Sequence, residues 1–277
     1  QLLVDPLVGS IYATDTNNFS LAMMPQLAAL ATGRSVLLTA RKQMKSAPKT
    51  TTPIFETPRS GLATLTDSLH ESIIALGGHI TTSTTVQSIS RTNNGYTVDI
   101  SGSSSNSLHA DCIIVASPAR ASAKLLQTLS EDASKLMGSA EHSSVVMATI
   151  KTVETDLPKL AGLSGYLVPK PDQDRVTATS FGSNKWAHWK PSDGSMILRV
   201  SLGRDGAPTH DLLHEWDDER IVRQVIDEVS RHTQTSITPD VFRITRWPEA
   251  FPQYRPGHMK YVESVETSLA HDAPGVF

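Results

Sequence analysis

The run Asp111-Cys-Ile-Ile-Val-Ala116, closed by Ser117-Pro118, constrains this chain more than any other segment. A continuous apolar run of that length reads as a strand buried on both faces, which needs further layers above and below it. The preceding residues offer such layers. Ser60 can cap a helix whose apolar positions are Leu62, Leu65, Leu69, Ile73 and Leu76, stopped by Gly77-Gly78. A strand at about 80–91, including Val86 and Ile89, meets the turn signal Asn93-Asn94-Gly95 and continues into 96–100. The tract 101–107 holds only Ser, Gly and Asn and reads as a loose connection. After Pro118 the pattern predicts a helix to about Leu126. Cys112, the single cysteine, reads as a small core residue; it rules out an internal disulfide framework and suits the cytosol.

The rest of the chain divides by period. Residues 18–31 are helical in pattern, with Leu21, Met24, Leu27, Ala28 and Ala31 on one face, Pro25 marking a kink or new first turn, and Gly33 a stop. No acid stands between Thr16 and Phe55, whereas Arg34, Arg41, Lys42, Lys45 and Lys49 do. This basic, apolar region suits an anionic membrane surface, and reads equally as a solvated face followed by a mobile loop over 43–53. From about Ser130 strands dominate: 142–151, 165–168, 175–181 and 196–203. Asp217 then opens a helix with Ile221, Val222, Val225, Ile226 and Val229 inward, followed by a strand at 241–247 and a helix at 257–270 carrying Tyr261, Val265 and Leu269. The class is α/β (α+β), an α/β piece with a strand-rich insertion.

Composition and motif searches exclude several functions. A net charge of −3 gives no reason to expect nucleic acid. No apolar run reaches the roughly 18 residues of a membrane span. There is no G-x-G-x-x-G after a strand, no P-loop and no G-x-S-x-G elbow. His210 and His214 stand four apart among acids, but the second histidine of H-E-x-x-H is missing, and the cluster reads as a solvated face rather than a metal site. His79 reads as a turn exit, and the sequon Asn18-Phe19-Ser20 has no consequence in a cytosolic chain. The opening at Gln1 and the apolar ending at 274–277 suggest a piece trimmed from a longer protein. Residue chemistry alone reveals no autonomous catalytic machinery.

One family resemblance adds to this. The order Ser60-Gly61-Leu62, Gly77-Gly78, Val86-x-x-Ile89, Val98, Ala110-Asp111-x-Ile113-Ile114-Val115-Ala116-x-Pro118 resembles the middle of flavin amine-oxidase-fold proteins. More selectively, Gly9-Ser-Ile-Tyr-Ala-Thr-Asp15 with Phe19-Ser-Leu21 resembles a segment of the protoporphyrinogen and coproporphyrinogen oxidases. So do Gly165-Tyr-Leu-Val-Pro169, Ser183-Asn-Lys-Trp186 with His188 and Pro191, Leu198-Arg199, Gly203-Arg204 and Trp247-x5-Pro252-Gln-Tyr254-x2-Gly257-His258. Thr14 stands where that family usually has glycine, and Leu163-Ser-Gly165 replaces a Gly-x-Gly.

The resemblance implies an FAD-dependent enzyme of haem biosynthesis that removes six electrons from a porphyrinogen. O2 reoxidises the flavin and yields hydrogen peroxide. It implies that residues 1–40 are the tail of a helical membrane-associated domain. Residues 41–128 become the middle stretch of an FAD-binding domain, 129–246 a substrate-binding domain and 247–277 the start of the last FAD-domain stretch. The phosphate loop and the C-terminal flavin segment would lie outside the chain, so residues 1–277 alone are expected to be inactive and to self-associate. Val86, Ala116, Ser117 and Trp247 are the implied cofactor-binding positions, and Leu163, Ser164 and Gly165 line the implied substrate pocket. By residue chemistry Val86 and Ala116 are plain core strand residues, and Trp247 is an anchor beside Pro248. The implied partners are the porphyrinogen, O2 and a membrane surface, with a cytoplasmic, peripheral location. Oligomeric state and the choice between coproporphyrinogen and protoporphyrinogen stay open, as do the rival readings of an amine oxidase, a carotenoid desaturase or a non-catalytic binding domain. No acid–base pair stands out as catalytic, and no metal is implied.

Overall fold

The computed structural model describes residues 2–46, 55–102, 106–152, 160 and 162–277. Ten helices and eight strands are found among them, numbered in chain order: α1 Val4–Tyr12, α2 Pro25–Ala31, α3 Val36–Ser46, α4 Ala63–Ala75, β1 Thr84–Thr92, β2 Gly95–Gly102, β3 Asn106–Ala110, α5 Ala119–Leu126, α6 Glu131–Gly138. There follow β4 His142–Thr152, β5 Gly165–Leu167, β6 Val176–Phe181, α7 Gly182–Lys185, β7 Ile197–Leu202, α8 His210–His214, α9 Asp218–Thr233, β8 Pro239–Pro252 and α10 His258–Asp272. They form two compact units, one of Gln1–Phe19, Arg59–Gly61 and Glu141–Gln253, the other of Ser20–Pro58, Leu62–Ala140 and Tyr254–Phe277.

The first unit is a five-stranded antiparallel sheet in the order β5-β6-β7-β4-β8. Period-two alternation sends Val146, Ala148 and Ile150 of β4, with Leu198, Val200 and Leu202 of β7, to one face, where all six are fully buried. Helix α9 covers that face with Ile221, Val225, Val229 and the partly buried Ile226, four of the five positions its sequence period predicts; the fifth, Val222, is buried outside that cluster. Asp217 caps α9 by accepting from the Arg220 N–H at 2.7 Å. The buried Glu228 carboxylate accepts from the backbone N–H groups of Arg175 and Val176 at 3.2 and 2.9 Å, which ties α9 to the start of β6.

Helix α1 belongs to this unit. Asp5, 2% exposed, meets the Arg204 guanidinium in a two-pronged pair at 2.8 and 2.9 Å. Gly9 lets the helix lie against that guanidinium, whose atoms stand 3.0 Å from where a Cβ would project. Burial pushes the Asp5 carboxyl up, but the hydrogen bonds from Arg204 and Thr16, with the guanidinium charge, bring it down to about 2.

In the second unit β1, β2 and β3 form an antiparallel meander, and α5, α6 and α10 contribute to a smaller core of Ile89, Tyr96, Leu126, Ala133, Leu269, Ala273 and Val276. The Tyr96 hydroxyl donates to the Pro274 carbonyl at 2.8 Å. Several expectations change here. The third strand is β3, at 106–110, rather than 111–116, so the tract expected as a loose connection already enters the meander at Asn106. Beyond it, Ile113 and Val115 exchange backbone hydrogen bonds of 2.8–2.9 Å with Gly275 and Phe277, and among the described residues the segment pairs on that side only. Ile114, pointing the other way, is 79% exposed, and Cys112 is exposed rather than a core residue.

Helix α4 keeps its expected span, but Leu62 stands at its N-cap without a side-chain bond, and Ser60 does not cap it. Its apolar positions Leu65, Leu69 and Ile73 are all exposed. The helix expected over 18–31 breaks into two 3-10 turns and α2, because Ser20 donates its N–H to Tyr254 and Pro25 opens a new first turn. Helix α3 runs through Ser46, into the stretch expected as a loop; 47–53 of that stretch lies outside the described residues. Helix α6 was not legible as one: Ser130 caps it by accepting from the Ala133 N–H at 3.3 Å.

Candidate functional site

The face of the five-stranded sheet opposite α9 carries a cavity of about 530 Å³. Register explains its floor. Gly165, Ser180, Arg199 and Thr149 stand side by side across β5, β6, β7 and β4, and Leu167, Ala178, Ser201 and Met147 form the next row. All of these except Thr149 line the cavity. Leu7, Ser10 and Ile11 of α1 make one wall, and Lys185, Trp186 and Trp189, in and just after α7, make another.

The second wall is held by backbone. A Cβ at Gly182 would run into the Trp189 ring, so only glycine lets that indole close down on the chain. Ser183 donates its hydroxyl to the Trp189 carbonyl at 3.0 Å and accepts from the Ile197 N–H at 2.8 Å. Gly165 adopts φ 146°, and a Cβ there would strike the Thr179 carbonyl across the ladder. Arg199 places its guanidinium over the Trp189 ring, 5.6 Å from the centroid. Among the described residues no Asp or Glu lines the cavity. The surface is thus apolar and aromatic, dotted with Ser10, Ser164, Ser180 and Ser201 and two cations, and suits a flat apolar ligand with an anionic edge.

Behind the sheet edge, the Tyr166 hydroxyl and His232 Nδ1 are 3.2 Å apart. Burial raises the Tyr166 hydroxyl and lowers the His232 imidazole, so both favour their neutral forms. They form a neutral hydrogen bond rather than an ion pair.

The expected site residues divide between the two units. Ser164 and Gly165 are in the cavity wall. Leu163 is not among the lining residues: its side chain is half exposed and its carbonyl accepts from Asn184 Nδ2 at 2.9 Å. Trp247, 51% exposed, sits on β8 opposite Val145, in register with Met147 and Thr149 through Thr245 and Arg243, and so on the cavity side of the sheet. It is not the packed anchor that its residue type suggests.

Val86, Ala116 and Ser117 belong to the second unit. Val86 is 38% exposed on β1, an outer strand with a partner on one side only among the described residues, and the ladder shifts register just after it. Ala116 is exposed, and the Ser117 hydroxyl is tied to that of Ser122 at 2.8 Å. Neither Val86 nor Ala116 is the core residue that pattern alone gave. Both are exposed apolar positions, Val86 on an outer strand and Ala116 just before a turn whose Ser117 carbonyl accepts from Ser122 Oγ at 2.9 Å. The sequence contains no glycine-rich turn from strand to helix of the kind that cradles the phosphates of a dinucleotide.

Pattern reading missed Lys185, Trp186, Trp189, Arg199 and the α1 wall as lining residues. The signal for Arg199 was present: it interrupts an apolar run in the central strand, between the buried Leu198 and Val200. Among the described residues no three metal-ligating side chains gather, and no helix is long and apolar enough to cross a membrane.

Comparison with known proteins follows the same lines. The sequence profile of the family described as flavin containing amine oxidoreductase matches residues 1–277. Coproporphyrinogen III oxidase of Bacillus subtilis (strain 168) is 25% identical over 284 residues, covering 99% of this chain and 58% of that protein. The chloroplastic protoporphyrinogen oxidase of Oryza sativa subsp. japonica is 23% identical over 295 residues, covering 97% of this chain and 53% of that protein. A crystal structure from Exiguobacterium sp. 255-15 superposes with a TM-score of 0.82 at 23% identity, over 99% of this chain and 57% of that one. The chain therefore spans little more than half the length of the relatives it matches.

Proposed function

We propose, from the premise that this chain belongs to the flavin-containing amine oxidoreductase family, that its protein oxidises a porphyrinogen to the porphyrin, with FAD as cofactor and O2 as acceptor. The flavin, when bound, supplies the oxidising power, and the protein's part is to bind, orient and desolvate the ring. The cavity carries this reading. Its floor and walls are apolar and aromatic, two cations reach it and, among the described residues, no acid does, the complement of a flat macrocycle edged with carboxylates. The curated relatives are named for such macrocycles, coproporphyrinogen III and protoporphyrinogen.

In this reading the resemblance assigns 129–246 to the substrate, 41–128 and 247–277 to FAD, and 1–40 to the tail of a helical domain, bounds that differ from the compact units, which divide at 19/20, 140/141 and 253/254. The backbone at Val86 and Ala116 takes the dinucleotide, and Trp247 flanks the flavin. The exposed apolar row of α4, with the outer face of 113–115, is where the remaining polypeptide of the FAD domain packs. Helix α3 exposes Val36, Leu37, Leu38 and Met44 beside Arg41, Lys42 and Lys45, which fits peripheral attachment to an anionic membrane.

The test is the full-length, FAD-loaded protein supplied separately with coproporphyrinogen III and protoporphyrinogen IX. Six electrons leave each ring, so porphyrin fluorescence should grow with uptake of three O2 and release of three hydrogen peroxide per ring. Absence of porphyrin from both substrates, with an amine reducing the flavin instead, would reject the reading.

A further inference from the structure

Three arginines of the first unit hold carboxylates, whereas Arg199, Arg220, Arg223, Arg231 and Arg243 have none among the described residues, and of these five Arg199 alone lines the cavity. Arg175 holds Asp211 at 2.7 Å, Arg204 holds Asp5 at 2.8 Å, and Arg246 holds Asp218 at 2.6 Å. Each has a carboxylate supplied by the protein. Arg199 has none among the described residues, although it occupies the middle strand of the sheet and the floor of the cavity. Its neighbours across the ladder are Ser180 and Thr149, neither of which can neutralise it. The Trp189 contact holds the guanidinium by its π-face without consuming an N–H donor. Lys185, also on the cavity wall, likewise makes no ion pair among the described residues.

A charged residue at the centre of a sheet, steadied by a tryptophan that is itself locked by Gly182 and Ser183, is positioned for an anion the chain does not provide. We propose that Arg199 is the specificity-determining anchor for a carboxylate of the substrate, with Lys185 as a secondary cation on the same rim. The guanidinium fork matches a carboxylate with two parallel N–H donors, which fixes orientation as well as affinity. Gripping one carboxylated side chain on the floor would set the rotation of a flat ring lying against Trp186 and Trp189. The anchor thereby selects ligands that carry an acid at that edge. This inference rests on the porphyrinogen reading and adds to it the residue that reads the acid.

The experiment uses the full-length, FAD-loaded protein and measures binding rather than turnover. Coproporphyrin III and its tetramethyl ester, held in the same detergent, are titrated by the shift of the porphyrin absorption band. Arg199→Gln should weaken coproporphyrin III binding by about 10- to 100-fold, the range of a lost charge-assisted hydrogen bond, and change ester binding less than about 2-fold. Arg199→Lys, which keeps the charge without the fork, should fall between wild type and Arg199→Gln and also guards against a folding defect. Unchanged coproporphyrin III affinity in Arg199→Gln would overturn the anchor, and so would an equal loss for acid and ester. Failure of the wild-type protein to bind either porphyrin would instead reject the porphyrinogen reading on which the anchor rests.

Discussion

The two units differ in how much of their apolar surface they keep for themselves. The unit around the five-stranded sheet buries a cluster of fifteen apolar residues, whereas the meander unit buries seven. Of the twenty-seven exposed large apolar side chains among the described residues, eighteen lie in the meander unit, among them Leu65, Leu69 and Ile73 of α4 and Ile114. The difference is one of layers. The five-stranded sheet has α9 on one face and a walled cavity on the other, so its sequence is satisfied locally. Helix α4 and 113–115 carry the pattern of a buried layer without a covering layer among the described residues. An apolar stripe states that something is to be covered and leaves open by what.

The sharpest way to break the first unit is through its buried ion pair. Removing one partner of such a pair leaves an uncompensated charge and costs about 3–5 kcal/mol. Arg204→Met should therefore lower the unfolding free energy by that amount in urea denaturation. All four tryptophans, Trp186, Trp189, Trp216 and Trp247, fall in this unit, so their emission reports on it specifically. A loss below about 1 kcal/mol would show that α1 is not held by Asp5.

Acid should open the same joint more gently. The folded Asp5 carboxyl lies at about 2, below its unfolded value, so it contributes stability above roughly pH 4 to 5 and loses it as pH falls through 2. The contribution is about 2–3 kcal/mol by linkage. The tryptophan-reported stability of wild type should fall across that window more steeply than that of Arg204→Met. Parallel pH profiles would assign the acid sensitivity elsewhere.

These residues also show how much of the molecule the sequence discloses. The strands of the five-stranded sheet and α9 follow from period and turn residues, because each has one buried and one open face. Gly9, Gly203-Arg204 and Trp247-to-His258, quoted as family signatures, include residues whose work in the fold is structural: Gly9 gives room to Arg204, Gln253 donates to Ser143 Oγ at 2.9 Å, and Gly257 caps α10 at φ 89°. Their spacing reported a family because it reports a packing solution. The cavity was less legible. Its floor is spread over β5, β6, β7 and β4, and only the register brings Ser180, Arg199 and Thr149 abreast. The strand expected at 111–116 failed for a related reason. Apolarity on both faces signals burial in two layers, but hydrogen-bond partners decide which residues pair, and Asn106–Ala110 had the turn and register to pair with β2.

The meander unit can be probed from its open side. Leu65→Lys with Leu69→Lys changes an exposed row, so in residues 1–277 the stability of the meander unit, which holds no tryptophan and is followed by far-ultraviolet circular dichroism, should move by less than about 0.5 kcal/mol. Self-association measured by sedimentation should decline, because the apolar stripe is interrupted by charge. In the full-length protein the same pair should reduce flavin content, since the row is then the covered face of the FAD domain. Loss of stability in residues 1–277 comparable to Arg204→Met would mean that α4 is already buried and that the contrast between the units is false.

The smallest expected effect separates the two readings of 111–116 most directly. If that run were a strand buried on both faces, Cys112 would be packed and slow to react, and Cys112→Ser would place a hydroxyl in a core at a cost of about 1–3 kcal/mol. In the structure the thiol is exposed beside a segment that, among the described residues, is bonded on one side only. A thiol reagent should therefore label Cys112 of residues 1–277 at the rate of a free cysteine without denaturant, and Cys112→Ser should leave stability within about 0.5 kcal/mol. Protection that disappears only on unfolding would restore the two-faced strand, and with it a covering layer that the structure does not show. Protection confined to the full-length protein would place that layer in polypeptide beyond these residues, which is the contrast between the two units stated at a single atom.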